Sequence, residues 1–152
     1  MAKSSWKQGK YNPKNPEKYK GSLPIIYRSS WEQRVFYFLD MHPSIIEWAS
    51  ESIVIPYLYQ IDNKMHRYYI DVNFTINDRN GDQKRYIIEV KPHEQTLPPK
   101  PPKNKNSKAM MRHNTAMLTY QKNQDKWMAA RAWAKKFGYI FDIWTEHTLG
   151  LK

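Results

Sequence analysis

Cysteine is absent from all 152 residues. That excludes disulfides and thiolate metal sites and suits a reducing cytoplasm. Long apolar runs are missing too: no stretch approaches membrane-spanning length, and Met1 to Lys20 lacks the apolar segment of a signal peptide. A soluble, unexported protein with no membrane partner is expected. Glycine is scarce, at five residues. There is no glycine-rich phosphate loop and no Gly-x-Ser-x-Gly turn, so neither nucleotide cradling nor a serine or cysteine nucleophile has a visible carrier. The five histidines (His42, His66, His93, His113, His147) show no zinc-binding spacing. Only His93, close behind Lys91, is placed to reach the candidate site below. No internal repeat is present.

Acidic residues are the minority sign, 14 against 25 lysines and arginines, for a net charge of +11. The excess is localised. Residues 1–28 and residues 100–126 each carry seven basic and one acidic residue, whereas residues 29–99 carry seven basic and ten acidic ones. Two basic segments around an acidic centre suit a polyanion whose reacting phosphate meets a bound metal. Lysines also keep proteins soluble, and charge alone does not separate the two uses. The length predicts one domain with a real core: residues 29–152, preceded by a basic N-terminal arm over 1–28.

The centre of the acidic region is HRYYIDVNFTINDRNGDQKRYIIEVK, from His66 to Lys91. It reads as two strands and a hairpin. The first alternates Ile70, Val72, Phe74 and Ile76 against Tyr69, Asp71, Asn73 and Thr75; the second sets Ile87, Glu89 and Lys91 on one face. Charges inside so apolar a run pair with each other or hold an ion. Register decides whether Asp71 joins them. A two-residue turn at Asn80-Gly81 would set Asp71 opposite Val90. A three-residue loop, Arg79-Asn80-Gly81 with Gly81 left-handed, sets it opposite Glu89. The odd loop is the expectation, because it alone puts two carboxylates side by side, where a cation relieves their repulsion.

Along the chain, Met1 to Tyr27 shows no sustained period and reads as irregular, its tyrosines and Trp6 lying on the core or stacking on bases. Ser29 or Ser30 caps a helix to about Met41 with Trp31, Val35, Phe38 and Leu39 as its stripe. Ser44 to Ser50 reads as one more turn. Ser52 to Gln60 reads as an edge strand around Pro56, followed by a turn at Asp62-Asn63-Lys64 into the central hairpin, giving three successive antiparallel strands. Residues 92–108 form a Pro/Lys-rich loop, polyproline-like and positively charged. Ser107 caps a helix to about Lys122, Asp125 caps another with Trp127, Ala130, Trp133, Ala134 and Phe137 as its stripe, and Gly138 ends it. Tyr139 to Thr145 is a last strand, returning parallel by a crossover.

Asp71, Glu89 and Lys91 form a candidate divalent-metal site. Asp71 and Glu89 would be the ligands, and Lys91 would orient a water or stabilise the pentavalent phosphate. A cross-strand ion pair is the commoner use of such residues. Glu32 has an equally specific structural reading, since Ser29-x-x-Glu32 is a capping box. Arg28 is placed to clamp a phosphate or to be solvated.

A helix bearing Glu followed by a hairpin bearing Asp and Glu-x-Lys resembles the PD-(D/E)XK nuclease superfamily, with Ile70 in place of the proline. The strings YRSSWE (27–32), EWASESIVIPY (47–57), HRYYIDV (66–72), IEVKP (88–92) and NQDKWMAA (123–130) resemble the head-completion proteins of T-even-type tailed phages. Transposon-encoded TnsA-type nucleases share the core and are a weaker match. The resemblance implies an α/β, restriction-endonuclease-like fold with a mixed sheet of about four strands and flanking helices. It implies a Mg²⁺-dependent DNA endonuclease, Mn²⁺ substituting, acting on packaged DNA ends or junctions. Glu32, Asp71, Glu89 and Lys91 would be catalytic, with Arg28, Lys100, Lys103, Lys105 and Lys108 on DNA. Phage head, portal or neck proteins would be partners, in the virion and in the host cytoplasm during assembly. Two alternatives stay open: a structural head protein that binds DNA without cutting it, and a TnsA-type transposition nuclease.

Overall fold

The computed structural model describes residues 8–150; the expectations for Met1–Lys7, Trp6 among them, lie outside these. Eight strands and two α-helices follow in the order β1 (Gly9–Tyr11), β2 (Ile25–Tyr27), α1 (Ser30–Met41), β3 (Ile45–Ser50), β4 (Val54–Tyr59), β5 (Lys64–Tyr69), β6 (Val72–Asn77), β7 (Gln83–Val90), α2 (Ser107–Phe137) and β8 (Tyr139–Trp144). The central sheet runs β3-β6-β7-β8, antiparallel except for β7 and β8, which are parallel. This is the mixed four-stranded sheet with flanking helices expected from the sequence. No helix among the described residues is long and apolar enough to cross a membrane.

The hairpin between β6 and β7 has the odd loop. Val72 pairs with Ile88 and Asn77 with Gln83, so Arg79-Asn80-Gly81 forms the turn, with Gly81 at φ +80°. Asp78 caps it, its carboxylate accepting from the N–H groups of Asn80 and Asp82, both at 2.9 Å.

Four expectations are corrected. Residues 45–50 form β3 and not a helical turn; a register shift between Ile45 and Glu47 breaks the alternation that marks a strand. The strand expected to run through Ile70 to Ile76 is divided at Ile70-Asp71. Its first part, β5, pairs with β4 in a separate two-stranded sheet, where edge position lets Pro56 omit a ladder donor. Residues 107–137 form one helix and not two. Asp125 does not cap: its carboxylate accepts from the Gln60 N–H (3.0 Å), Gln60 Nε2 (2.7 Å) and Gln121 Nε2 (3.0 Å), so the capping signal serves a tertiary contact. The N-cap is Asn106, one residue before Ser107. Finally, residues 8–28 hold the β1–β2 ribbon and a 3₁₀ turn at Pro16–Lys18, not an irregular arm.

Two apolar clusters line the two faces of the sheet. Val35, Phe36 and Leu39 of α1 pack with Trp48, Val72, Phe74 and Ile88; Phe36, rather than the exposed Phe38, completes the helix stripe. On the other face Trp127, Ala130 and Ala134 of α2 pack with Ile55, Tyr57, Tyr68, Ile70 and Ile87. The tyrosines of the N-terminal segment pack against the core: Tyr11 and Tyr19 stand edge-on to Trp48, at 6.0 and 4.8 Å between ring centres.

Asp40, 0% exposed, ties that segment down. It accepts from Tyr11 Oη (2.6 Å) and from the N–H groups of Lys14 (2.7 Å) and Asn15 (2.9 Å). Burial opposes its charge, but these donors together hold its carboxyl below the ordinary 3.8. Stability from such a group is complete above the unfolded value and is lost as pH falls through the folded one. Asp40→Asn is therefore expected to destabilise by about 1–3 kcal/mol at neutral pH. It should also flatten the loss of stability below pH 4, which urea titrations across pH would measure.

Candidate active site

The break between β5 and β6 builds the site. Ile70 donates its N–H to the Ile53 carbonyl (3.0 Å) and Glu51 donates its N–H to the Asp71 carbonyl (3.2 Å), so both residues are held as the chain changes sheets. Ile70 is buried under α2 with the second cluster, while Val72 enters the first. Asp71 lies one residue beyond the Val72–Ile88 pair, at the position opposite Glu89. Its Oδ2 accepts from the Val90 N–H at 2.7 Å.

Glu89 is 6% exposed on β7. One of its oxygens accepts from the Tyr68 hydroxyl, and Oε2 lies 3.3 Å from Lys91 Nζ. Lys91 extends the edge of β7 by donating its N–H to the Trp144 carbonyl (2.9 Å), which keeps its side chain on the Glu89 face. Lys91 thus forms an ion pair, but with Glu89 two residues away on its own strand and not across the hairpin, and the pair is part of the same cluster as Asp71.

Burial raises the Asp71 carboxyl well above its ordinary value; the Glu89 charge adds to this, the Val90 N–H opposes it, and the Glu32 charge adds more weakly. Burial also raises Glu32, against the Arg28 N–H and the Arg28 charge, with smaller contributions from Glu51 and Glu89. The three carboxylates therefore share one field. Glu32 serves two ends: Ser29 caps α1 by accepting the Glu32 N–H (3.1 Å), and the Glu32 carboxylate accepts from the Arg28 N–H (3.2 Å). Its carboxylate completes the cap one residue earlier than a capping box, at Arg28 instead of Ser29.

Arg28 is exposed and pairs with Glu51, whose φ of +51° is unusual outside glycine. The Arg28 charge also reaches Glu32 and Asp71. Lys100, Lys103, Lys105 and Lys108 are exposed on the Pro-rich loop and at the start of α2, and none is ion-paired among the described residues. His93 does not join the carboxylates. Its ring lies 4.8 Å from that of His147, and its N–H donates to Glu146.

Two residues near the cluster went unread in the sequence. Tyr68 is buried, and burial together with Glu89 raises its hydroxyl far above the ordinary value, so it remains a donor. Lys126, on α2, has its Nζ 5.3 Å from the centre of the Tyr68 ring. Burial lowers its ammonium, the charges of Glu89 and Asp71 oppose this, and those of Lys91 and Lys122 add to it. The signal for Tyr68 was its parity with Ile70, which a continuous strand would have turned to the opposite face from Asp71. Lys126 left no such signal: only the structure shows that its neighbours Asp125 and Trp127 are both buried.

Among the described residues no three such side chains already stand in a coordinating arrangement. The donor set still fits a hard divalent cation: carboxylate oxygens without sulfur or imidazole, with Asp71 and Glu32 both raised by burial and by neighbouring carboxylate charge. A carboxylate cluster flanked by a lysine, on a mixed sheet, suits the metal-assisted cleavage of a phosphodiester. Residues 42–146 match the family model described as TnsA-like endonuclease N terminal, and the chain belongs to that family of endonucleases. Over 142 residues, 93% of this chain and 92% of the relative, it is 41% identical to the head completion nuclease of Enterobacteria phage T4. No solved structure matches the chain. Asp71, Glu89 and Lys91 fall inside the family match, and Glu32 lies upstream of it.

Proposed function

We propose that this protein is a phage head-completion endonuclease of PD-(D/E)XK type, which hydrolyses phosphodiester bonds in DNA with a divalent metal, Mg²⁺ or Mn²⁺. The observation that carries this is the convergence of Glu32, Asp71, Glu89 and Lys91 from α1, the β5–β6 break and the end of β7. Asp71 and Glu89 would hold the ion. When bound, it supplies a water of lowered pKa and charge stabilisation at the phosphorus. The chain's own residues do the rest. Lys91, now paired with Glu89, turns its ammonium to the scissile phosphate or its attacking water. Tyr68 keeps Glu89 in place, and Glu32 supports the metal or the water from the N-terminus of α1. Packaged DNA ends or junctions are the substrate, head, portal or neck proteins the partners, and the virion and infected cell the setting.

The test is cleavage of linear, circular and branched DNA with Mg²⁺, with Mn²⁺ and with chelator. Metal-dependent nicking or cutting is expected; a folded protein inert under all these conditions would leave the structural reading in its place.

DNA affinity is proposed to reside in the basic segments, because Arg28, Lys100, Lys103, Lys105 and Lys108 are exposed. Replacing the four loop lysines by alanine should lower the slope of log affinity against log salt by about 0.9 for each phosphate that is no longer neutralised. Fluorescence anisotropy across salt concentrations measures this, and an unchanged slope would remove the loop from the interface.

A further inference from the structure

Lys126 sits on a firmly held part of α2. Asp125 before it takes three hydrogen bonds from Gln60 and Gln121, and Trp127 after it is 2% exposed in the core under the sheet. These anchors fix the side chain over the Tyr68 ring, whose hydroxyl reaches Glu89. The ammonium is half-buried, and among the described residues no carboxylate lies within ion-pair distance of it. Both Glu89 oxygens are already engaged, one by Tyr68 and one by Lys91. A half-buried cation without an anion carries part of the cost of burial, and a ring contact alone is a weak reason to keep one there.

We infer that Lys126 is a second active-site cation, which contacts the DNA phosphate brought to Glu89, Asp71 and Lys91. The inference rests on the nuclease reading of that site. Charge supports it: three carboxylates, two ammoniums, one divalent ion and one phosphodiester balance to zero, and without Lys126 the set stays negative. In the protein without DNA, Lys126 and Lys91 offset part of the carboxylate charge. With a divalent ion held by Asp71 and Glu89, both ammoniums would be free to meet the incoming phosphate.

Lys126→Met keeps the stem over Tyr68 and removes the charge; Lys126→Arg keeps the charge. Mn²⁺ is titrated into DNA-free protein by electron paramagnetic resonance, and a short duplex is titrated in Ca²⁺ by anisotropy. Cleavage is followed in Mg²⁺. Lys126→Met should bind Mn²⁺ about fivefold tighter and duplex about fivefold weaker. Its kcat/KM should fall by about a hundredfold, and Lys126→Arg should restore most of it. A folded Lys126→Met with wild-type Mn²⁺ affinity, duplex affinity and cleavage would overturn the inference. Should Lys126→Met not fold, Lys126→Gln carries the same comparison, and failure of both to fold would make the lysine structural and overturn it equally. If the wild type cleaves nothing, the nuclease reading fails separately, and the Mn²⁺ and duplex titrations alone decide the role of Lys126.

Discussion

Asp71→Ala is expected to leave duplex binding intact or slightly tighter while lowering cleavage by at least about 10³-fold. The two effects part because the carboxylate does opposite things to them. It repels the incoming phosphate, so its loss favours binding. It is also one of the two groups proposed to hold the metal, so its loss removes activated water and charge stabilisation together. The same opposition shows in stability. Burial and the Glu89 charge raise the Asp71 carboxyl, so the folded state disfavours its ionised form. For a raised carboxyl, stability is lost as pH climbs from the unfolded to the folded value, and at pH above both the penalty is complete. Asp71→Asn should therefore melt at a higher temperature than the wild type in chelator at alkaline pH. Mn²⁺ should narrow the gap by binding the wild type more strongly. Phage carrying Asp71→Ala should fill heads that do not become infectious. Cleavage by Asp71→Ala at the wild-type rate would end the catalytic reading.

The parts of this site that were legible in the sequence are those set by local rules. The loop Arg79-Asn80-Gly81 follows from the left-handed conformation glycine tolerates and from the face that two carboxylates must share, and it sets Asp71 opposite Glu89. Glu-x-Lys on one strand face and the Ser29 cap of α1 are equally local. What escaped reading is non-local. The change of sheet at Ile70-Asp71 leaves no mark in the alternation, since Ile70 is apolar whether it joins Val72 or passes to the cluster under α2. Asp125 looks like a cap because Asp usually caps; only Gln60, 65 residues away, shows where its carboxylate goes. Lys126 belongs to the site through packing of a helix on a strand, which no spacing along the chain records.

Lys91→Ala separates the roles of the two charged residues on the end of β7. The ammonium is no metal ligand, and at 3.3 Å from Glu89 Oε2 it competes with any cation for that oxygen. Removing it should tighten Mn²⁺ binding severalfold, the reverse of what Asp71→Ala does. Cleavage should nonetheless fall by about 10²–10⁴-fold, because the ammonium that serves the water or the phosphate is gone. Lys91→Arg should restore metal affinity to near the wild type but only part of the rate, since a planar, delocalised guanidinium does not present the compact, rotatable charge of an ammonium. The comparison needs isothermal titration with Mn²⁺ and single-turnover cleavage on the same preparations. Tighter metal with slow cleavage places Lys91 at the substrate. If metal affinity and cleavage both stay at wild-type levels in a folded Lys91→Ala protein, the Lys91–Glu89 contact is a plain ion pair along one strand and Lys91 has no part in the reaction.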